Sequence, residues 1–130
     1  MFALDLNALI HALKGSGRVK ERLARVRPSD IAIPAVVAYE IEFGTLHSRD
    51  PEKGRRDLRQ LLGILTLLPF DGRAADRSAR LRYQLESTGE KVGALDTLIA
   101  GTVLAHGATL VTHNTSEFSR VPGLQIEDWY

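Results

Sequence analysis

The chain has 130 residues, 44% of them hydrophobic and 25% charged, and its 17 basic and 16 acidic side chains leave a formal net charge of +1. This composition argues against a disordered chain, and the absence of cysteine excludes disulfide and thiolate-zinc scaffolds. No apolar run approaches the roughly 18 residues of a membrane span, and no basic segment precedes Phe2 as in a signal peptide. We therefore expect a single domain over residues 1–130, located in the cytoplasm, with no membrane partner.

In chain order, short apolar strands alternate with longer helices. The first half predicts a strand at 2–4, a helix at 7–13 that stops at Gly15-Ser16-Gly17, a helix at 19–26, a strand at 31–33 and a helix from Pro34 toward Gly44. The second half predicts a charged, solvent-facing stretch at 49–57, helices at 58–63, 71–85 and 94–106, and strands at 64–68, 109–112 and 124–126. Such alternation is typical of an α/β fold, with a mostly parallel sheet of four to five strands covered by helices on both faces.

Ligands of open parallel sheets bind beyond the carboxyl ends of the strands, so acidic residues at that edge are candidates for a site. Asp5 directly follows the first strand, although an aspartate there is also a good helix N-cap. Glu40 shares the apolar helix face of Val36 and Val37, where an unpaired carboxylate is costly. The alternative for Glu40 is a structural ion pair with an arginine, whereas Glu42 should point the opposite way into solvent.

Two further segments bring polar groups to the same edge. Asp96 lies in the first turn of an apolar helix, with interaction with the helix dipole as its alternative role. Asn114 follows the fourth strand, with Glu117 one helical turn later, although ordinary turn chemistry explains Asn114 equally well. Clustered carboxylates need a cation, and oxygen ligands favour Mg2+, for which Mn2+ can substitute. A magnesium ion held by carboxylates can activate water for attack on a phosphodiester.

Five segments together follow a specific order and spacing. They are residues 4–7 (LDLN), 39–44 (YEIEFG), 93–100 (GALDTLIA), 112–118 (THNTSEF) and 121–129 (VPGLQIEDW). In these segments the chain resembles the PIN-domain ribonucleases of the VapC toxin type. The resemblance implies a PIN-like three-layer α/β/α sandwich and Mg2+-dependent cleavage of RNA, commonly transfer RNA or ribosomal RNA. It also implies a type II toxin–antitoxin pair, with a small VapB-like antitoxin as partner and a toxin homodimer.

The same resemblance assigns roles to individual residues. Asp5, Glu40 and Asp96 take the positions of the family's acidic metal site. Asn114 stands where many members carry a fourth aspartate, and Glu117 matches an acid common among the toxins. All five are expected to be catalytic, with metal held by the first three. Asn114 is neutral, so if Glu117 does not reach the site only three carboxylates remain, and a second metal would be held weakly.

Neighbouring residues have expected supporting roles. Asn7 and Thr112 are expected to hydrogen-bond the catalytic groups, with a local turn bond as the alternative for Asn7. Leu6 stands where the family usually has threonine or serine, so one polar contact beside Asp5 is missing. RNA phosphates should be met by basic residues at the rim, with a solvated helix face as the alternative. These rim residues are Lys14, Arg18, Lys20, Arg22 and Arg25.

Two other functions remain open from the sequence. A non-catalytic RNA- or protein-binding module on the same fold would explain the neutral Asn114 and the apolar Leu6. An aspartate-based phosphoacceptor or phosphatase domain also places an aspartate after the first strand. Its pattern requires a second aspartate where this chain has Asn7. A comparison of RNA cleavage with and without magnesium separates these functions.

Overall fold

A computed structural model describes residues 1–15 and 17–130, so Ser16 of the predicted helix stop lies outside the described residues. Within these ranges the strands are β1 (Phe2–Leu4), β2 (Ile31–Pro34), β3 (Thr66–Leu68), β4 (Thr109–Val111) and β5 (Gln125–Glu127). The helices are α1 (Leu6–Lys14), α2 (Gly17–Leu23), α3 (Ala35–Leu46), α4 (Pro51–Ile64), α5 (Gly72–Ser87), α6 (Ala94–Ala105) and α7 (Thr115–Phe118). A short 3-10 turn, Pro28–Asp30, precedes β2.

The five strands form one parallel sheet in the order β3-β2-β1-β4-β5, with β1 at its centre. Ala3 of β1 lies opposite Ala32 of β2 and Leu110 of β4, and all three are fully buried. Helices cover both sides of this sheet, so the predicted α/β sandwich is confirmed. The chain moves outward from β1 in both directions, which makes the β1–β4 boundary a topological switch point. Ligands of open α/β sheets bind at such points.

Aspartates begin three of the helices, and glycines end two. Asp5, Asp50 and Asp71 each accept a hydrogen bond from the backbone N–H three residues later, at 2.8, 3.1 and 2.9 Å. Gly15 ends α1 at φ +63°, and Gly107 follows α6 at φ +64°. A residue with a Cβ is strained in this left-handed conformation, so glycine fits both helix ends.

Helices α5 and α6 cross at very close range. A Cβ added to Gly101 of α6 would lie 2.8 Å from the Cα of Ser78 on α5, and would overlap the Ser78 hydroxyl. The Ser78 hydroxyl is buried and makes no hydrogen bond within the described part of the chain. This crossing holds α6, and with it Asp96, against the rest of the helical layer.

Several predicted boundaries were wrong. Pro34 does not begin α3, because it is the last residue of β2, with extended backbone angles of φ −60° and ψ 141°. The charged stretch at 49–57 is mostly solvent-exposed as predicted, but α4 already begins within it, at Pro51 behind the Asp50 cap, rather than at residue 58. Ile64 closes α4, which leaves only Thr66–Leu68 for β3, and α2 ends at Leu23 rather than at residue 26. The short helix α7 was not predicted at all.

Apolar side chains are exposed along one face of α3. Tyr39, Phe43 and Leu46 are spaced four and three residues apart, and they are 59, 57 and 58% exposed. A contiguous apolar stripe of this kind is typical of a surface that binds another protein. No helix in the described ranges is long and apolar enough to cross a bilayer.

Candidate active site

Asp5 occupies the carboxyl end of the central strand and is only 7% exposed. Its Oδ1 atom accepts a hydrogen bond of 2.8 Å from the backbone N–H of Ala8, and its carboxyl group also hydrogen-bonds the Thr112 side chain. Burial raises the pKa of Asp5, and these two hydrogen bonds offset part of the shift. Asp5 therefore serves as the cap of α1 and also presents a carboxylate at the ligand edge.

Glu40 lies in the second turn of α3 and has an unsatisfied oxygen. Its Oε1 atom is buried and has no hydrogen-bond partner among the described residues. Burial, followed by the charge of Asp5, raises the pKa of Glu40. Within the described ranges no arginine pairs with Glu40, whereas Glu42, expected in solvent, forms an ion pair of 3.0 Å with Arg55. Because a buried carboxylate oxygen without a partner is costly, the site suits a positively charged ligand.

Asp96 is placed at the edge by the start of α6, where Gly93 is the N-cap. Burial, then the charge of Glu117 and a hydrogen bond to it, raise the pKa of Asp96 from 3.8 to about 6. The charges of Glu40 and Asp5 act in the same direction, so the three carboxyl groups are close enough to disfavour one another's ionisation.

Glu117, on α7, is held by donors from two segments. Its Oε1 atom accepts a hydrogen bond of 2.7 Å from the Gly93 N–H, and its Oε2 atom accepts one of 2.6 Å from the Asn114 side chain. These contacts, with a hydrogen bond from Asp96 and the nearby Arg120 charge, lower the pKa of Glu117 despite partial burial. In this pair Glu117 therefore ionises at lower pH than Asp96, which binds its proton more tightly.

Two positioning groups were missed at the sequence level, the Gly93 N–H and the Arg120 guanidinium. Arg120 Nη1 donates a hydrogen bond of 2.7 Å to the Lys91 carbonyl, and its Nε atom lies 3.8 Å from a Glu90 carboxylate oxygen. These contacts fasten the loop before α6 to the segment after α7. The sequence signal was a basic residue three positions after Glu117, but the loop that it contacts is 29 residues away.

The supporting residues fall into two groups. Thr112 is fully buried, and its hydroxyl accepts a hydrogen bond of 2.9 Å from the Asn114 backbone N–H while also bonding Asp5. Asn7 is exposed, and no hydrogen bond of its side chain is found in the described part of the chain. Thr112 thus links β4 to the catalytic edge, whereas Asn7 does not contact it.

The basic residues from Lys14 to Arg25, which lie on α1, on α2 and just after it, are mostly exposed. Four of the five predicted RNA contacts are exposed without an ion pair among the described residues, namely Lys14, Arg18, Lys20 and Arg25. Arg22 instead forms an ion pair of 3.1 Å with Glu127, and its guanidinium lies 5.3 Å above the Trp129 ring. Arg22 therefore also holds β5 and the residues after it in place.

An aromatic cluster, also missed in the sequence, closes one side of the edge. The Tyr130 ring stacks on His113 at 4.5 Å and contacts His11 edge-on at 4.7 Å. His113 Nδ1 lies 3.0 Å from Asp128 Oδ2. The Tyr130 hydroxyl is buried without a partner in the described ranges, and burial with the charges of Asp5 and Asp128 raises its pKa to about 12.

The donor chemistry of the edge fits a hard divalent cation. The charge of Asp5 raises the pKa of Glu40, and the charges of Glu40 and Asp5 raise the pKa of Asp96. A buried oxygen of Glu40 also has no partner among the described residues, so a bound cation would relieve both costs. Across residues 1–15 and 17–130, no three histidine or acidic side chains form a group already arranged to hold a metal ion. The oxygen ligands therefore share one edge without forming a finished coordination shell.

Comparison with known proteins identifies the family. Residues 2–124 match the model of the PIN domain. The chain is 33% identical to the tRNA(fMet)-specific endonuclease VapC of Shigella flexneri, over 98% of this chain and 97% of that protein. The chain belongs to the PIN-domain family. Its VapC-type relatives are named as nucleases, so the expectation of a PIN-domain ribonuclease of the VapC type is confirmed.

Solved PIN-domain structures support the same assignment. DNA-bound VapBC from Salmonella typhimurium aligns with a TM-score of 0.92 and 32% identity, covering 99% of this chain and 98% of that one. VapBC2 from Rickettsia felis, bound to a DNA fragment from its promoter, aligns with a TM-score of 0.91 and 31% identity at the same coverage. VapC-type PIN nucleases depend in general on divalent metals, in agreement with the oxygen-rich edge.

The raised pKa of Asp96 predicts a dependence of stability on pH. The native carboxyl group, with a pKa of about 6, binds its proton more tightly than the unfolded group at 3.8. The free energy of unfolding should therefore fall as the pH rises between these values and stay at the lower level above them. Melting temperatures in EDTA should decline more steeply over this range for the parent chain than for Asp96→Asn. Parallel curves for the two proteins would contradict the prediction.

Proposed function

We propose that this chain is a Mg2+-dependent endoribonuclease, the toxin of a toxin–antitoxin pair, which hydrolyses phosphodiesters of structured RNA such as transfer or ribosomal RNA. One observation carries the proposal. The carboxyl groups of Asp5, Glu40 and Asp96 meet at the switch point of the parallel sheet, where they disfavour one another's ionisation. A buried oxygen of Glu40 has no hydrogen-bond partner among the described residues. The Shigella flexneri relative, whose name specifies tRNA(fMet), supports an RNA substrate.

Asp5, Glu40 and Asp96 are the residues that would hold the metal. When bound, magnesium supplies an activated water and stabilises the negative charge that develops on the phosphate. On this proposal the ionised Asp96 carboxylate supplies oxygen ligands, since a pKa of about 6 leaves the group mostly ionised at neutral pH. Mn2+ can substitute, since it accepts the same oxygen ligands.

The remaining residues orient this set. Thr112 hydrogen-bonds Asp5 and receives a bond from the Asn114 N–H, so the ends of β1 and β4 are coupled through one hydroxyl. Glu117, fixed by the Gly93 N–H and the Asn114 amide, lies against Asp96. We assign Asn114 and Glu117 to position water and Asp96. The Asn114 amide donates a hydrogen bond to Glu117, which a carboxylate at position 114 could not do.

Partners follow from the surface and from the relatives. The exposed α3 stripe of Tyr39, Phe43 and Leu46 begins beside Glu40, so a protein bound on it would also cover the catalytic edge. We propose that a small VapB-like antitoxin is that protein, as the solved VapBC complexes of the relatives suggest. We further propose that the toxin is a homodimer of single-domain chains acting in the cytoplasm, and that the exposed basic residues of α1 and α2 contact RNA phosphates.

A cleavage assay with purified protein tests this function. Incubation with total transfer RNA in Mg2+ should give discrete cuts, EDTA should abolish them, and added Mg2+ or Mn2+ should restore them. Sequencing of the RNA ends would locate the cut sites. RNA binding without metal-dependent cleavage would instead identify a non-catalytic binding module and overturn the proposal.

A further inference from the structure

We propose that His113 is a stacking platform for a nucleobase of the RNA, adjacent to the phosphate that is cut. This inference rests on the proposed RNA cleavage and adds a base-binding subsite to it. The residues that carry it are His113, Tyr130 and Asp128, which were not part of the predicted catalytic set.

The orientation of the His113 ring is fixed from two sides. One face stacks on Tyr130, with ring centroids 4.5 Å apart and planes inclined by 26°. The ring edge is held by the 3.0 Å contact of Nδ1 with Asp128 Oδ2. Tyr130 is itself supported by the edge-on contact with His11 at 4.7 Å and by a 3.0 Å hydrogen bond from its backbone N–H to Asp128. The imidazole is therefore preorganised before any ligand arrives.

The other face of the ring is open. The His113 side chain is 65% exposed even though one face and one edge are in contact with the protein. A fixed and exposed aromatic face binds a base at little entropic cost, and protein rings of this kind stack the unpaired bases of single-stranded RNA. The geometry of a flat, supported ring thus matches a nucleobase.

The platform lies next to the catalytic carboxylates. His113 directly follows Thr112, whose side chain hydrogen-bonds Asp5. A base stacked on His113 would belong to a nucleotide close to the phosphate at the Asp5 edge.

A phosphate fits this position less well than a base does. The ring nitrogen that faces the protein, Nδ1, is engaged by Asp128, so it is not available to donate to a phosphate. Stacking requires only the open face of the ring.

Binding measurements in the Asp96→Asn background, in which cleavage is blocked, test the platform. Short single-stranded oligoadenylate and oligouridylate serve as probes, because adenine offers a larger stacking surface than uracil. His113→Ala should weaken oligoadenylate binding by at least about fivefold, the effect of losing one base–aromatic stack, and should weaken oligouridylate binding less. His113→Phe should restore binding. The slope of log Kd against log salt should not change, since no phosphate contact is lost.

The matched control is His47→Ala, because His47 is also exposed and contacts an aromatic ring, Phe43, but at the far end of α3. It should leave both affinities unchanged. The stacking proposal would be overturned if His113→Ala weakened the binding of both probes equally and made the salt dependence of Kd shallower. It would also be overturned if His113→Lys restored binding and His113→Phe did not. An unchanged Kd for oligoadenylate would do the same. If the parent chain does not cleave RNA and the Asp96→Asn variant binds neither probe, the proposed function itself fails.

Discussion

Replacing Asp96 with asparagine is expected to slow RNA cleavage about a thousandfold, because a lost metal ligand removes several kcal/mol of transition-state stabilisation and each ~1.4 kcal/mol is a factor of ten in rate. The fold should survive the change. The Asp96 carboxyl group has a pKa raised to about 6, because its surroundings disfavour the charged form, so a neutral side chain suits the position. Initial rates of cleavage at saturating Mg2+, measured beside melting temperatures, check both parts.

Two comparison variants sharpen this result. Asp5→Asn should lose activity to a similar extent while keeping α1, because asparagine caps helices as well as aspartate does. Asp76→Asn changes an exposed acid on α5 that pairs with Arg80 at 3.1 Å, and it should cleave RNA at the parent rate. Undiminished cleavage by Asp5→Asn or Asp96→Asn would contradict the metal assignment.

Gly101→Ala is expected to cause the largest loss of stability, about 2 to 3 kcal/mol, through overpacking. The new Cβ would lie 2.8 Å from the Ser78 Cα, and a backbone contact of that length requires α5 and α6 to separate. Chemical denaturation should report the loss as a lower midpoint with an unchanged slope. Gly63→Ala is the matched control, since a Cβ at that helical glycine meets nothing within 4 Å. It should stabilise the chain by roughly 0.5 to 1 kcal/mol.

A second substitution tests the contact itself. Ser78→Gly costs about 1 kcal/mol on its own, since glycine is a poor helix former, but it removes the side chain that the new methyl group would strike. The double variant Gly101→Ala with Ser78→Gly should therefore be more stable than the sum of the two single effects predicts. Strict additivity would show that the destabilisation arises from the Ser78 backbone, whose Cα remains in the double variant, and not from its side chain.

The centre of the sheet could be predicted from the sequence because β1 and β2 are short and wholly apolar. Leu4 and Ile33 are fully buried, and the residue after each marks the carboxyl end of its strand. Asp5 and Asp96 could be placed at one edge for the same reason, since the parallel topology brings strand ends and helix starts together. These inferences need only periodicity and the geometry of parallel sheets.

Other features depend on contacts between distant segments and therefore left no local pattern. The start of α4 was missed because the charged composition of the stretch outweighed the Asp50 cap. The pairing of Asp96 with Glu117 needs the fold to bring two helix starts together. Likewise, the burial of the Tyr130 hydroxyl could not be predicted, because the rings that contact Tyr130 belong to residues far away in the sequence.

The central position of β1 has a consequence for the order in which the protein is made. Residues 2–4 are synthesised early, but their partner on one side, β4, comprises residues 109–111. Until that segment has left the ribosome, Asp5 has no Thr112 to hold it and Asp96 has no Glu117. Contacts this distant in sequence also form slowly during folding. The edge that carries Asp5 and Asp96 is thus completed only when residues 109–117 have emerged, late in the synthesis of the chain.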